Sequence, residues 1–150
     1  MKTPHMKTSK LLKAAVDLLQ QGWCQRYLGI RDKASCWQAA RQYGLPIIIQ
    51  GGAEFQPGVE IDSVCLQGAL VKAAVDLSGV GWPAKEDTVT PEQEAMRASY
   101  GAAERAVAEE IASRTGVAGT ARWNDVAGRT QAEVVALVQD VAAQEEDAGR

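Results

Sequence analysis

The chain is short of the residues that most often announce a chemistry. It has one histidine, His5, one phenylalanine and an aromatic content of only 5%. A single histidine excludes any His-pair metal centre or proton relay. It also leaves a Cys–His nucleophile dependent on that one residue reaching Cys24, Cys36 or Cys65. Those three cysteines are an odd set with no two close in sequence, whereas structural zinc sites bring their ligands in close pairs. No metal and no cofactor is therefore expected. The cysteines are expected to be reduced, which fits a cytoplasmic location. No apolar run has signal-peptide or transmembrane length, so no membrane is expected as partner. The formal net charge is −3 and the pI about 5.2. Without a broad basic field, a nucleic-acid partner held through its phosphates is not expected.

Two apparent motifs fail on context. Gly79-Val80-Gly81-Trp82-Pro83-Ala84 satisfies G-x-G-x-x-A on paper. It follows a helical pattern rather than a strand, and Pro83 interrupts it before any helix begins, so the dinucleotide context is absent. The pairs Glu109-Glu110 and Glu145-Glu146 read as exposed helix faces.

What is present is alanine and helical periodicity. At 150 residues one domain is the natural size, with 46% hydrophobic and 23% charged residues. The fold class expected is mainly α, a compact bundle of four to five helices with at most a small β element. Residues 1–8 read as a flexible tail, 9–143 as a single helical domain and 144–150 as an acidic tail. Met6-Lys7-Thr8 repeats Met1-Lys2-Thr3, so Met6 is an alternative start or a junction.

A first helix is expected over Ser9–Gln21, with Leu11, Leu12, Ala15, Leu18 and Leu19 inward and Gly22 ending it in a left-handed turn. A second is expected over Asp32–Tyr43. Gln25–Ile30 and Leu45–Ile49 are the β-like stretches. A third helix should start at Asp62 or Ser63 and reach Leu77. In it Gly68 admits a neighbouring helix, and Cys65, near a helix start, has either a lowered pKa or a plain packing role. Thr90, Pro91 and Gln93 announce a fourth, with Met96, Tyr100, Ala103, Val107 and Ile111 on its inner face. Val117–Arg122 reads as loop or short strand.

Residues Leu11–Trp23 and Leu70–Trp82 are identical at nine of thirteen positions. This is either an internal duplication of a helix-Gly-Trp unit or convergence of two Ala-rich helices, since the flanks do not match. Trp23, Trp37, Trp82 and Trp123 are either plugs for an alanine-rich core or a stacking cage for a planar ligand.

The most informative stretch is Trp123–Val134. Asn124, Asp125 and Gly128 are turn formers. Thr130 and Glu133 have capping-box spacing, and Val134, Val135, Leu137, Val138 and Val141 continue as a helical stripe. Arg129 stands at the helix start, where its charge opposes the dipole, so it needs a specific partner; Asp125 is the nearest.

Together with Gly22-Trp23 and Cys65-Leu66-Gln67-Gly68-Ala69-Leu70, the run Trp123-Asn124-Asp125, Gly128-Arg129-Thr130 and Glu133-Val134 resembles a domain family of actinobacterial and phage-encoded proteins. The resemblance spans about residues 10–143 and is poor over 25–60. It implies a fold and, by analogy, an accessory role for a phage or mobile element that interferes with a host system.

The function expected is a non-catalytic interaction or ligand-binding module. Trp123, Asn124, Asp125, Arg129, Cys65, Gln67 and Trp23 are its binding residues, and none is assigned as catalytic. Its partner would be a protein, a homodimer included, or a small anionic ligand. The alternative is a small enzyme acting on a nucleotide-like substrate, with Asp125, Arg129 and Cys65 in the site.

Overall fold

A computed structural model describes residues 6–31 and 47–150. The chain is mainly α with a small β element. Its elements run α1 (Thr8–Gln21), β1 (Gly29–Arg31), β2 (Ile47–Ile49), β3 (Ser63–Val64), α2 (Leu66–Ser78), α3 (Pro91–Thr115), α4 (Thr120–Asn124) and α5 (Gln131–Asp147). The helix expected over Asp32–Tyr43, with Cys36 and Trp37, lies outside the described residues, as does His5. None of the described helices is long and apolar enough to cross a membrane.

Helix α1 is the axis of the molecule. Leu11, Leu12, Ala15, Val16 and Leu19 are buried on it, and it packs most extensively on α5, then on α2 and α3. Its alanines and those of α2 (Ala69, Ala73, Ala74, all buried) bring the two backbones close, and the leucines and valines fill the spaces between. The inner face of α3 is the expected one: Met96, Ala103, Val107 and Ile111 are buried, with Tyr100 half-buried. Thr90 and Gln93 form the expected capping box, with Pro91 in the first turn.

The sheet is three-stranded and antiparallel, in the order β2-β1-β3. Trp23 adds a parallel bridge to Val64, through Cys24 N–H to Val64 O (3.1 Å) and Val64 N–H to Gly22 O (3.0 Å). The sheet therefore lies across the exits of α1 and the entry of α2.

Two glycines serve other ends than the sequence suggests. Gly22 is extended (φ −178°) rather than left-handed. A Cβ there would sit 2.0 Å from Asp62 O, so glycine is required by close approach. Gly68 abuts a loop rather than a helix, since its Cβ would lie 1.9 Å from Leu28 O. The third helix also starts later than its pattern indicates. Ser63 and Val64 are drawn into the sheet, and the first helical residue is Leu66. Val117–Arg122 contains no strand; from Thr120 it is helical.

Helix α5 is longer than expected. Its capping box is present: Glu133 N–H donates to Thr130 Oγ1 (3.2 Å) and Thr130 N–H to Glu133 Oε1 (3.1 Å). The helix runs through Asp147, so the expected boundary at residue 143 falls inside it. Arg150 returns to Glu145 through both its backbone and its guanidinium, and its carbonyl accepts Ser9 N–H (3.2 Å). Thr130→Ala is expected to cost about 1 kcal/mol. At this chain length that lowers the melting temperature by about 2–4 °C, read by calorimetry.

Candidate functional site

The residues around Trp123–Asp125 divide into a buried support and an open cleft. Asn124 is the last residue of α4 and is fully buried (0% exposed). It is not a local turn former. Its Oδ1 accepts Trp23 Nε1–H (2.7 Å) and Leu66 N–H (3.1 Å). Its Nδ2 donates to Cys24 O (3.2 Å) and Asp125 Oδ1 (3.0 Å). A carboxamide has two donors and two acceptor lone pairs, so this side chain is saturated and offers a ligand nothing. Trp23 is likewise committed to Asn124 through its indole N–H.

The segment after α1 is clamped to the same turn. Gln25 Nε2 donates to Asn124 O (2.9 Å) and Val126 O (3.1 Å). Arg26 N–H donates to Asp125 Oδ1 (2.8 Å). Arg26 has φ +75°, the one non-glycine residue at positive φ among those described. Such a conformation persists only where the surroundings hold it; here Asp125 does so.

Arg129 does not pair with Asp125. Its Nε donates to Trp123 O (3.1 Å) and its guanidinium to Glu133 Oε2 (2.9 Å). The guanidinium carbon lies 4.0 Å from the centroid of the Trp123 ring, a cation–π contact. Trp123 is 5% exposed. The charge of Arg129 is thus tolerated at the start of α5 because a carboxylate of the same turn answers it. The Arg129 guanidinium also holds the Glu133 carboxyl below its ordinary range, after the larger effect of the Thr130 hydroxyl. Arg129 and Trp123 border a shallow groove with Ile111 and Leu137, on a different face from Asp125.

Asp125, Cys65 and Gln67 do come together. With Arg26, Tyr27, Leu28, Gln50 and Ala121 they line an open cleft of about 490 Å³. Sequence reasoning missed Arg26, Tyr27 and Gln50. For Arg26 and Tyr27 the only signal is the β-like pattern of Gln25–Ile30, and for Gln50 its place after the β-like Leu45–Ile49; neither says anything about its neighbours. Cys65 is the N-cap of α2: its sulfur accepts Gly68 N–H (3.2 Å). Burial pushes its thiol pKa up, opposed by the α2 amides of Gly68 and Gln67. Of the two readings of Cys65, the lowered pKa is not the one found, because desolvation outweighs the helix start. Cys24, also buried and free, is pushed up to about 12, first by burial and then by Cys65 and Asp125.

Of the tryptophans, Trp82 packs edge-on against Tyr100 (5.2 Å between centroids, 89° between planes). Trp23 meets Asn124, and Trp123 meets Arg129. The three described indoles make three separate contacts, and no two stack on each other. Among the described residues no cluster of three or more His, Cys, Asp or Glu could hold a metal ion.

A family described as a family of unknown function (DUF6197) matches residues 3–144. The chain belongs to that family. No curated protein and no solved structure matches it. The DUF6197 match runs from before α1 to residue 144, within α5, so α4, its turn and the cleft lie within the family's domain.

Two outcomes follow from this geometry. Asn124→Ala orphans Trp23 Nε1–H, Leu66 N–H and Cys24 O at once. At about 1–3 kcal/mol for each buried group left unpaired, the loss is expected to be at least about 3 kcal/mol, measured by urea denaturation. The thiols give a pH dependence. The folded pKa of Cys24 lies above the unfolded value of 9.0, so the folded state retains its proton longer. The stability linked to Cys24 is complete below pH 9 and falls as pH rises towards about 12. Cys24→Ala should flatten that alkaline decline in denaturation midpoints taken across the range.

Proposed function

We propose that this DUF6197 chain is a non-catalytic ligand-binding module whose site is the cleft between the Cys24–Leu28 segment, the start of α2 and the end of α4. The observation that carries the reading is the convergence of Asp125, from the end of α4, with Cys65 and Gln67, from the start of α2, on one open cleft. Beneath it lies the saturated Asn124 network, and beside it the strained Arg26. A rigid support under a few polar side chains is what small-ligand sites require. The raised thiol pKa of Cys65 supports binding over nucleophilic catalysis.

Arg129, one of the expected binding residues, is engaged with Glu133 and Trp123. Within the cleft an anionic group is left to Arg26. The free thiols of Cys24 and Cys65 fit a reducing cytoplasm. The motif resemblance extends the proposal to an accessory of phages or mobile elements, which would act on a host system through a protein partner.

Native mass spectrometry of the purified protein tests the reading. A small-molecule adduct is expected on the parent chain. It should be lost in Ala121→Trp, which places an indole in the cleft from the exposed side of α4. An adduct that survives Ala121→Trp, or a second protein chain retained in its place, would overturn the small-ligand site.

A further inference from the structure

The donors and acceptors of the cleft are unevenly committed. Several of its backbone N–H groups are taken. Leu66 N–H goes to Asn124, Gly68 N–H to the Cys65 sulfur, Cys65 N–H to Leu28 O, and Arg26 N–H to Asp125. Two of the first amides of α2 are therefore used by its own cap and by Asn124, which weakens the usual anion-binding property of a helix N-terminus.

Two acceptors in the cleft are uncommitted, beside the donors of the Arg26, Tyr27 and Gln50 side chains. Asp125 uses Oδ1 for Arg26 N–H and Asn124 Nδ2, while Oδ2 accepts from no described residue. Gln67 donates Nε2 to Tyr100 OH (3.3 Å), which fixes its amide, and its Oε1 likewise accepts from no described residue. Both side chains line the cleft, with Tyr27, Leu28 and Ala121 as its apolar wall.

Resting on the ligand-binding reading above, we infer that the cleft takes a small organic cation. A primary ammonium would be held by Asp125 Oδ2 and Gln67 Oε1, with a short aliphatic chain along Leu28 and Ala121. A carboxylate and a carbonyl oxygen answer two of the three N–H donors of an ammonium, and charge-assisted bonds of this kind are the stronger ones. The net charge of −3 favours approach of a cation. The Arg26 guanidinium, exposed at the rim, can meet an anionic group at the far end of the same ligand.

Three probes of matched length separate the possibilities: n-butylamine, butyrate and 4-aminobutyrate, titrated into 15N-labelled protein. The two amines are expected to shift the amides of Arg26, Gln67 and Asp125, and butyrate is not. Asp125→Asn keeps a side-chain oxygen for Arg26 N–H while removing the charge. It should weaken amine binding at least tenfold. Gln67→Glu adds a charge at the second acceptor and should tighten it, which keeps the test decisive if Asp125→Asn fails to fold. Butyrate binding at the same amides, or amine binding unchanged in Asp125→Asn, would refute the cation while leaving the cleft as a site. Cleft amides unmoved by every probe would also refute the cation, and the Ala121→Trp adduct experiment then decides the cleft itself.

Discussion

One carboxamide holds the functional end of the molecule together. Asn124 is the only described residue whose side chain bonds the exit of α1 (Trp23, Cys24), the start of α2 (Leu66) and its own turn (Asp125). No other side chain could replace it without loss. Aspartate has no donors for Cys24 O, and glutamine is one methylene too long for a fully buried site. Since Trp23 bridges to Val64, the same amide also fixes the end of the sheet relative to the helices. The cleft exists because α4 and the Cys24–Leu28 segment are pinned on either side of this group.

The two similar segments show how far context governs use. Lys13 and Lys72 occupy matching positions, each followed four residues later by an aspartate. On α1, Lys13 is exposed and pairs with Glu146 of α5. On α2, Lys72 is only 7% exposed. Its ammonium donates to Val59 O (2.9 Å) and Asp76 Oδ2 (2.9 Å), so it anchors the loop before β3. Trp23 hydrogen-bonds to Asn124, whereas Trp82 packs on Tyr100 and covers Gly52. What the segments share is the buried face and the closing Gly-Trp; what they do differs.

The legible part of this fold was local. Both capping boxes, the inner face of α3 and the stripe of α5 follow from spacings of three and four residues, which the helix geometry itself imposes. The illegible part was long-range. Asn124 has turn-forming chemistry in any sequence, and nothing nearby shows that its partners are Trp23, Cys24 and Leu66. Gly22 looks like a helix terminator because that is its commonest use after a helix, yet here it makes room for Asp62 O. Arg129 was rightly read as needing a partner, but the carboxylate chosen was the nearest in sequence. Glu133, four residues on, is nearest in space because it lies one helical turn away. Cys65 and Gln67 share one stretch and Asp125 lies in another, and only the folded chain brings the two to one cleft.

The same network that fixes the site also sets its polarity. Buried amides must be paired, and around the start of α2 they are paired by Asn124 and by the Cys65 sulfur. Each bond that satisfies a backbone N–H removes a donor that a ligand could have used. Among the groups left for a ligand are two side-chain oxygens, Asp125 Oδ2 and Gln67 Oε1, on residues whose other polar atoms are held, with the Arg26 guanidinium at the rim. Two fixed acceptors beside a capped helix start favour a donor at that end of the cleft, while Arg26 serves the other end. The preference for a cationic group is thus a consequence of how the fold satisfies its own backbone, and Asn124 contributes to it without touching the ligand.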